Sequence, residues 1–131
     1  MLNKSPEERK MKYTELYKDF LKAVPEATDF CEEKVKEAQL GAEYGAHLFF
    51  CFAVRPYISK VLHDGNDEVL KKIAAFMEEM ETHEDVHVAG VLEQSIMEGL
   101  LSEDRKLVEE KADFWGKETK EAFIAVGQFI E

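Results

Sequence analysis

The chain has 131 residues with 45% hydrophobic and 34% charged positions, enough for one domain (1–131) with an ordinary hydrophobic core and no need of metal or disulfide support. Its net charge of −11 argues against nucleic-acid or anionic-membrane partners, and no apolar run approaches the ~20 residues that span a bilayer. Met1-Leu2-Asn3-Lys4 leads straight into charged sequence, so no secretory signal is expected, and Cys31 and Cys51 without CxxC spacing read as reduced core thiols of a cytoplasmic protein.

The chain reads as all-α. Ser5-Pro6-Glu7-Glu8 supplies an N-cap, a proline at the first helical position and early acids. Tyr13, Leu16, Tyr17, Phe20, Leu21 and Val24 then share one face, and Pro25 closes that helix and opens a second with Ala27, Phe30, Cys31, Val35 and Ala38 inward. A third, strongly apolar helix is predicted from about Glu43 to Leu62, kinked or split at Pro56, whose ring clashes with the preceding turn. Asp64-Gly65-Asn66-Asp67 is a turn with a fresh N-cap, followed by Val69, Ile73, Phe76, Met77 and Met80 at helical spacing. The next helix is predicted from Thr82, with Thr82-His83-Glu84-Asp85 as a capping-box variant, to about Leu101. Ser102-Glu103-Asp104 is expected to cap another helix through Trp115, Gly116 to break it, and Ala122, Phe123, Val126 and Ile130 to face inward from the last. Six or seven helices on short turns predict antiparallel neighbours, as stacked HEAT-like hairpins or a compact bundle.

One string invites a catalytic reading. His83-Glu84-Asp85-Val86-His87 spells HExxH, the zinc-protease motif in which two histidines one helical turn apart bind the metal and the glutamate takes a proton from its water. A third ligand would have to be Glu93, which on an unbroken helix points about 80° from His83 and about 120° from His87. Only a break at Gly90 would bring it round. Val88, Val91, Leu92, Ser95 and Ile96 continue one face past Gly90, and no turn residue flanks it. Asp85 occupies a position that is apolar in zinc proteases, and the approach Glu78-Glu79-Met80-Glu81 is charged. A di-iron site fails too, because Glu84-x-x-His87 is one unit where two are needed, and His47 and His63 lack a glutamate three residues before them. No catalytic residue, metal ligand or cofactor site is assigned, and a zinc-dependent hydrolase stands as the alternative reading. His47 reads as a satisfied core-edge histidine, His63 as a cation at a helix C-terminus, Arg55 as the partner of an acid, and Met77, Met80 and Met97 as core fillers.

The charge is unevenly placed. Residues 1–66 carry 10 basic against 11 acidic side chains, a net of −1; residues 67–131 carry 7 against 17, a net of −10. Ile73 to Asp104 holds nine acids and neither Lys nor Arg. Such a field speeds the approach of a basic protein, and Glu78, Glu79, Glu81, Glu84 and Asp85 are the candidate contacts. A solvated structural or scaffolding surface is the other reading of the same charges.

Over roughly residues 46–123 the chain resembles a known family. The strings Ile58-Ser59-Lys60-Val61-Leu62-His63-Asp64-Gly65-Asn66-Asp67-Glu68, Val88-Ala89-Gly90-Val91-Leu92-Glu93-Gln94 and Trp115-Gly116-Lys117-Glu118-Thr119-Lys120 carry the likeness. That family consists of small bacterial all-helical proteins, of unestablished biochemistry, built like HEAT hairpins. The resemblance implies an immunity protein that neutralises a toxin of interbacterial competition by occluding it. It also implies a structural role for the Val-Ala-Gly-Val-Leu-Glu helix.

Overall fold

The computed structural model describes residues 12–128, so the Ser5 cap and the inward Ile130 lie outside the described residues. A 3₁₀ turn at Tyr13–Glu15 leads into α1 (Leu16–Ala23), which buries Leu16 and Phe20 one turn apart. Pro25 begins a second 3₁₀ turn, its missing N–H costing nothing at a helix start, and the chain runs on into α2 (Thr28–Ala38). α3 spans 46–64, α4 is Asp67–Glu81, α5 spans 86–110 and α6 is Lys117–Gly127. Among the described residues there is no strand, and the fold is all-α and compact.

Pro56 neither splits α3 nor ends it. The ladder widens into a π-turn over Phe50–Val54 immediately ahead of the proline, then resumes as α-helix over Arg55–Asp64. The wider turn accommodates a residue that can neither donate to the carbonyl four back nor sit tightly against it. α5 has a matching π-turn at Leu92–Met97, and the two π-turns pack on each other. Ser102-Glu103-Asp104 does not start a new helix; α5 continues through it with a kink at Asp104 (φ −131°, ψ 28°).

Gly65 takes a left-handed φ of 70°, where glycine carries no Cβ penalty, and its N–H closes on the Val61 carbonyl. Asn66 then caps α4 through its side chain, which accepts from the Val69 N–H at 3.3 Å. α4 is the central helix. Val69, Leu70, Ile73, Ala74, Phe76, Met77 and Met80 are all buried, and each large apolar side chain so placed contributes about 1.5–3 kcal/mol of transfer free energy. Met97 of α5 is buried with them.

The alternation expected from short turns holds for α3, α4 and α5, so α3 and α5 lie side by side in the same direction. Arg55 reaches Glu103, and Ser59 and His63 both reach Asp104. After α5 the chain turns back along α4, pinned by Lys111 on Asp67 at 2.9 Å and by the Trp115 indole N–H on the Val108 carbonyl at 3.0 Å. α6 therefore begins at the C-terminal end of α4 and packs on both α4 and α5. The buried side chains of all six helices form one cluster. Among the described residues, no helix is long and apolar enough to cross a membrane.

Candidate functional site

The acidic junction between α4 and α5 holds all five acids singled out in the sequence, and their local roles differ sharply. Glu79 and Glu84 are exposed. Glu78 is turned inward. Its Oε1 accepts from the Thr119 N–H at 2.9 Å and the Thr119 hydroxyl at 2.7 Å, and its Oε2 accepts from the Glu118 N–H at 3.1 Å. It thus caps α6 from another helix, standing in for the side-chain cap that Gly116 lacks at the N-cap position. A Cβ on Gly116 would collide with the Glu78 carboxylate, so the glycine makes room for the contact. Partial burial opposes ionisation of Glu78, but the bonds from Thr119 and Glu118 outweigh it and hold the carboxyl below its usual range.

Glu81 lies one turn further along α4 and behaves in the opposite way. Burial, then its hydrogen bond to the Glu93 side chain, then the nearby charges of Glu93, Glu78 and Glu118 push its carboxyl up to about 8. One of its oxygens, Oε2, is buried without a hydrogen-bond partner. Glu93 stands on the π-turn of α5, so two helices bring a pair of carboxyls together.

Asp85, rather than Thr82, caps α5: its Oδ1 accepts from the His87 N–H at 2.9 Å. The Thr82 hydroxyl instead bonds back to the Glu78 carbonyl at 2.9 Å and finishes α4. The predicted helix start is therefore corrected by three residues. Asp85 is the better cap because its carboxylate accepts strongly, while a threonine at a helix end can satisfy the preceding turn.

That shift separates the two histidines of the HExxH string. His83 and Glu84 precede the helix, and the His83 Nδ1 accepts from the Asp85 N–H at 2.9 Å. His87 lies in the first turn of α5, with its ring edge-on to Tyr13 at 6.3 Å. The presentation of both imidazoles from one helix face, on which the zinc reading depends, is not formed. Among the described residues, no three of His, Cys, Asp and Glu are grouped so as to hold a metal.

Three clusters carry no signal that the sequence made visible. The His47 Nδ1 lies 2.9 Å from the buried Ser95 hydroxyl, joining the start of α3 to the π-turn of α5. The Tyr13 ring sits between His47 (6.4 Å) and His87. Asp104, 7% exposed, accepts from the Ser59 hydroxyl and the His63 Nε2, each at 2.8 Å. Serine, histidine and aspartate meet there, but both donors converge on the acid and no serine–histidine bond forms, so the arrangement lacks the relay of a nucleophilic triad. It fastens α3 to the kink of α5.

This is an all-helical fold with an acidic end, and the chain belongs to the family described as a domain of unknown function (DUF7674), whose model matches residues 17–131. No curated protein matches the chain, and no solved structure does.

Proposed function

We propose that the protein is a cytoplasmic protein-binding module that occludes a basic partner with the α4–α5 junction. The observation that carries this reading is the surface there. Glu79, Glu84 and the apolar Val86, left 75% exposed, all face solvent within a stretch from Ile73 to Asp104 that has neither Lys nor Arg. An isolated apolar side chain amid negative charge suits a partner with a cationic rim around an apolar pocket, and the field raises the association rate more than the affinity. Glu78, Glu81 and Asp85 shape this surface from behind, and Glu79, Glu84 and Val86 are its exposed members. The resemblance drawn from the sequence makes the partner a toxin domain, and the two free thiols, Cys31 and Cys51, fit a reducing compartment.

The test is affinity capture from the source cells at low and high salt, with wild type and Glu79→Lys/Glu84→Lys side by side. A basic protein retained by wild type, released by salt and lost in the double variant is the expected result. A captured partner that is acidic, or that the double variant holds equally well, overturns the reading.

A further inference from the structure

The junction behind this surface contains a chemical contradiction unless a proton resolves it. Ionised carboxylates only accept hydrogen bonds, so Glu81 and Glu93 can bond to each other only when one of them carries a hydrogen. The charges that raise the Glu81 carboxyl are all acidic: Glu93 from the π-turn of α5, Glu78 from the preceding turn of α4, and Glu118 from the first turn of α6. Glu78 is fixed in its ionised form by three donors, so relief cannot come from protonating it instead. The basic residues of α6 nearest in sequence, Lys117 and Lys120, are exposed, and the His83 ring of the adjoining loop is engaged through Nδ1 with the Asp85 backbone. α4, α6 and the π-turn of α5 are all packed together at this point.

We propose that Glu81 and Glu93 share one proton that latches the end of α4 to the π-turn of α5, and that losing this proton to water loosens this end of the fold in mildly alkaline solution. With the proton in place the pair is a single hydrogen-bonded unit bearing one negative charge. Without it, two carboxylates face each other beside the ionised Glu78, in a junction where the Oε2 of Glu81 is buried with no donor to stabilise a charge. The latch follows from the fold itself and does not rest on the partner reading.

The direction of the pH effect follows from linkage. A carboxyl whose proton is held more tightly in the folded than in the unfolded chain contributes stability that is complete below the unfolded value of about 4.3 and is lost as pH rises through the folded value. For Glu81 that window closes at about 8. One such proton lowers the folding constant by at most about tenfold per pH unit, and with Glu81 partly open to solvent about threefold is expected.

Carbon-13 NMR of the side-chain carboxyls in the wild-type chain tests the proton directly. One glutamate titrating near pH 8 is the expected result, and glutamates that all titrate below pH 6 overturn the latch. Thermal unfolding of wild type and Glu81→Gln between pH 6.5 and 9 tests the consequence. The glutamine amide can donate to Glu93 at any pH, so the variant should lose at least half of the wild-type fall in Tm; equal slopes overturn the proposal. If Glu81→Gln fails to fold, the carboxyl titration decides alone.

Discussion

Removing the Glu78 carboxylate should detach α6 from the rest of the fold at its first turn. Three bonds of 2.7–3.1 Å end on this one group. Losing a helix N-cap costs about 1 kcal/mol, losing a negative charge at a helix N-terminus adds about 0.3–1 kcal/mol, and an unpaired buried hydroxyl at Thr119 adds about 1–3 kcal/mol. The Thr119 hydroxyl can partly recover by turning to a helix carbonyl, so Glu78→Ala should destabilise by about 3 kcal/mol. With an unfolding entropy of about 0.3 kcal/mol/K for 131 residues, Tm falls by about 10 °C. Gly116→Ala supplies the matched perturbation. The glycine backbone (φ −68°, ψ 170°) is open to alanine, so the added Cβ acts only by displacing the Glu78 carboxylate. It should cost about 2 kcal/mol in wild type and almost nothing in the Glu78→Ala background. Urea unfolding at pH 6, followed by helical circular dichroism, measures all four corners of this cycle. Strictly additive costs, or a Glu78→Ala loss under about 0.5 kcal/mol, would refute the capping argument.

Two other perturbations follow from the packing. Asp104→Ala strands the Ser59 hydroxyl and the His63 imidazole at the α5 kink and should cost about 1–3 kcal/mol in urea unfolding; Asp104→Asn keeps an acceptor and should cost less. A loss under about 0.5 kcal/mol for the alanine variant would mean that the kink is not fastened by this acid. Cys31 is fully buried, its S–H directed at the Ala53 carbonyl at 3.6 Å, and burial pushes its thiol up to about 12. A chromogenic disulfide reagent at pH 8 should therefore react first with the half-buried Cys51, and with Cys31 only on unfolding. Two equally fast thiols would contradict the burial.

How much of this was legible depended on whether the signal was periodic or paired. The apolar faces of α1, α4 and α6 follow the 3.6-residue repeat, that of α2 holds only as far as Val35 because Ala38, expected inward, is exposed, and Asp64-Gly65-Asn66 announces its turn because each residue suits one special backbone position. The Arg55 ion pair was also legible, since a lone cation on an apolar helix needs an acid, and Glu103 meets it at 3.1 Å. The π-turns were not, because an extra residue in a helical turn leaves the composition unchanged; Pro56 signalled a disturbance without its form. Ser102-Glu103-Asp104 looked like a cap because the same residue types serve caps and buried tethers. The acidic run hid its inward-facing roles in the same way. Glu78, Glu81 and Asp85 serve as a cap for α6, one side of a shared proton and a cap for α5, roles that depend on the third dimension. Composition counts charges and says nothing about which of them face inward.

Glu78 and Glu81, one helical turn apart, give this acidic end two opposed responses to pH. Glu78 holds its charge more tightly in the folded chain, so its contribution is present above the unfolded value of about 4.3 and disappears as pH falls below it. Glu81 holds its proton more tightly, so its contribution erodes from that same value upward until about 8. Stability from this pair should therefore peak near that shared value of about 4.3 and decline on both sides. The two limbs can be removed independently, because Glu78→Gln abolishes the acid limb and Glu81→Gln the alkaline one. Unfolding free energies measured from pH 3.5 to 9 for wild type and both variants would show this. A variant that flattened both limbs would mean that the two carboxyls titrate as one unit, and the separate roles of cap and latch would have to be given up.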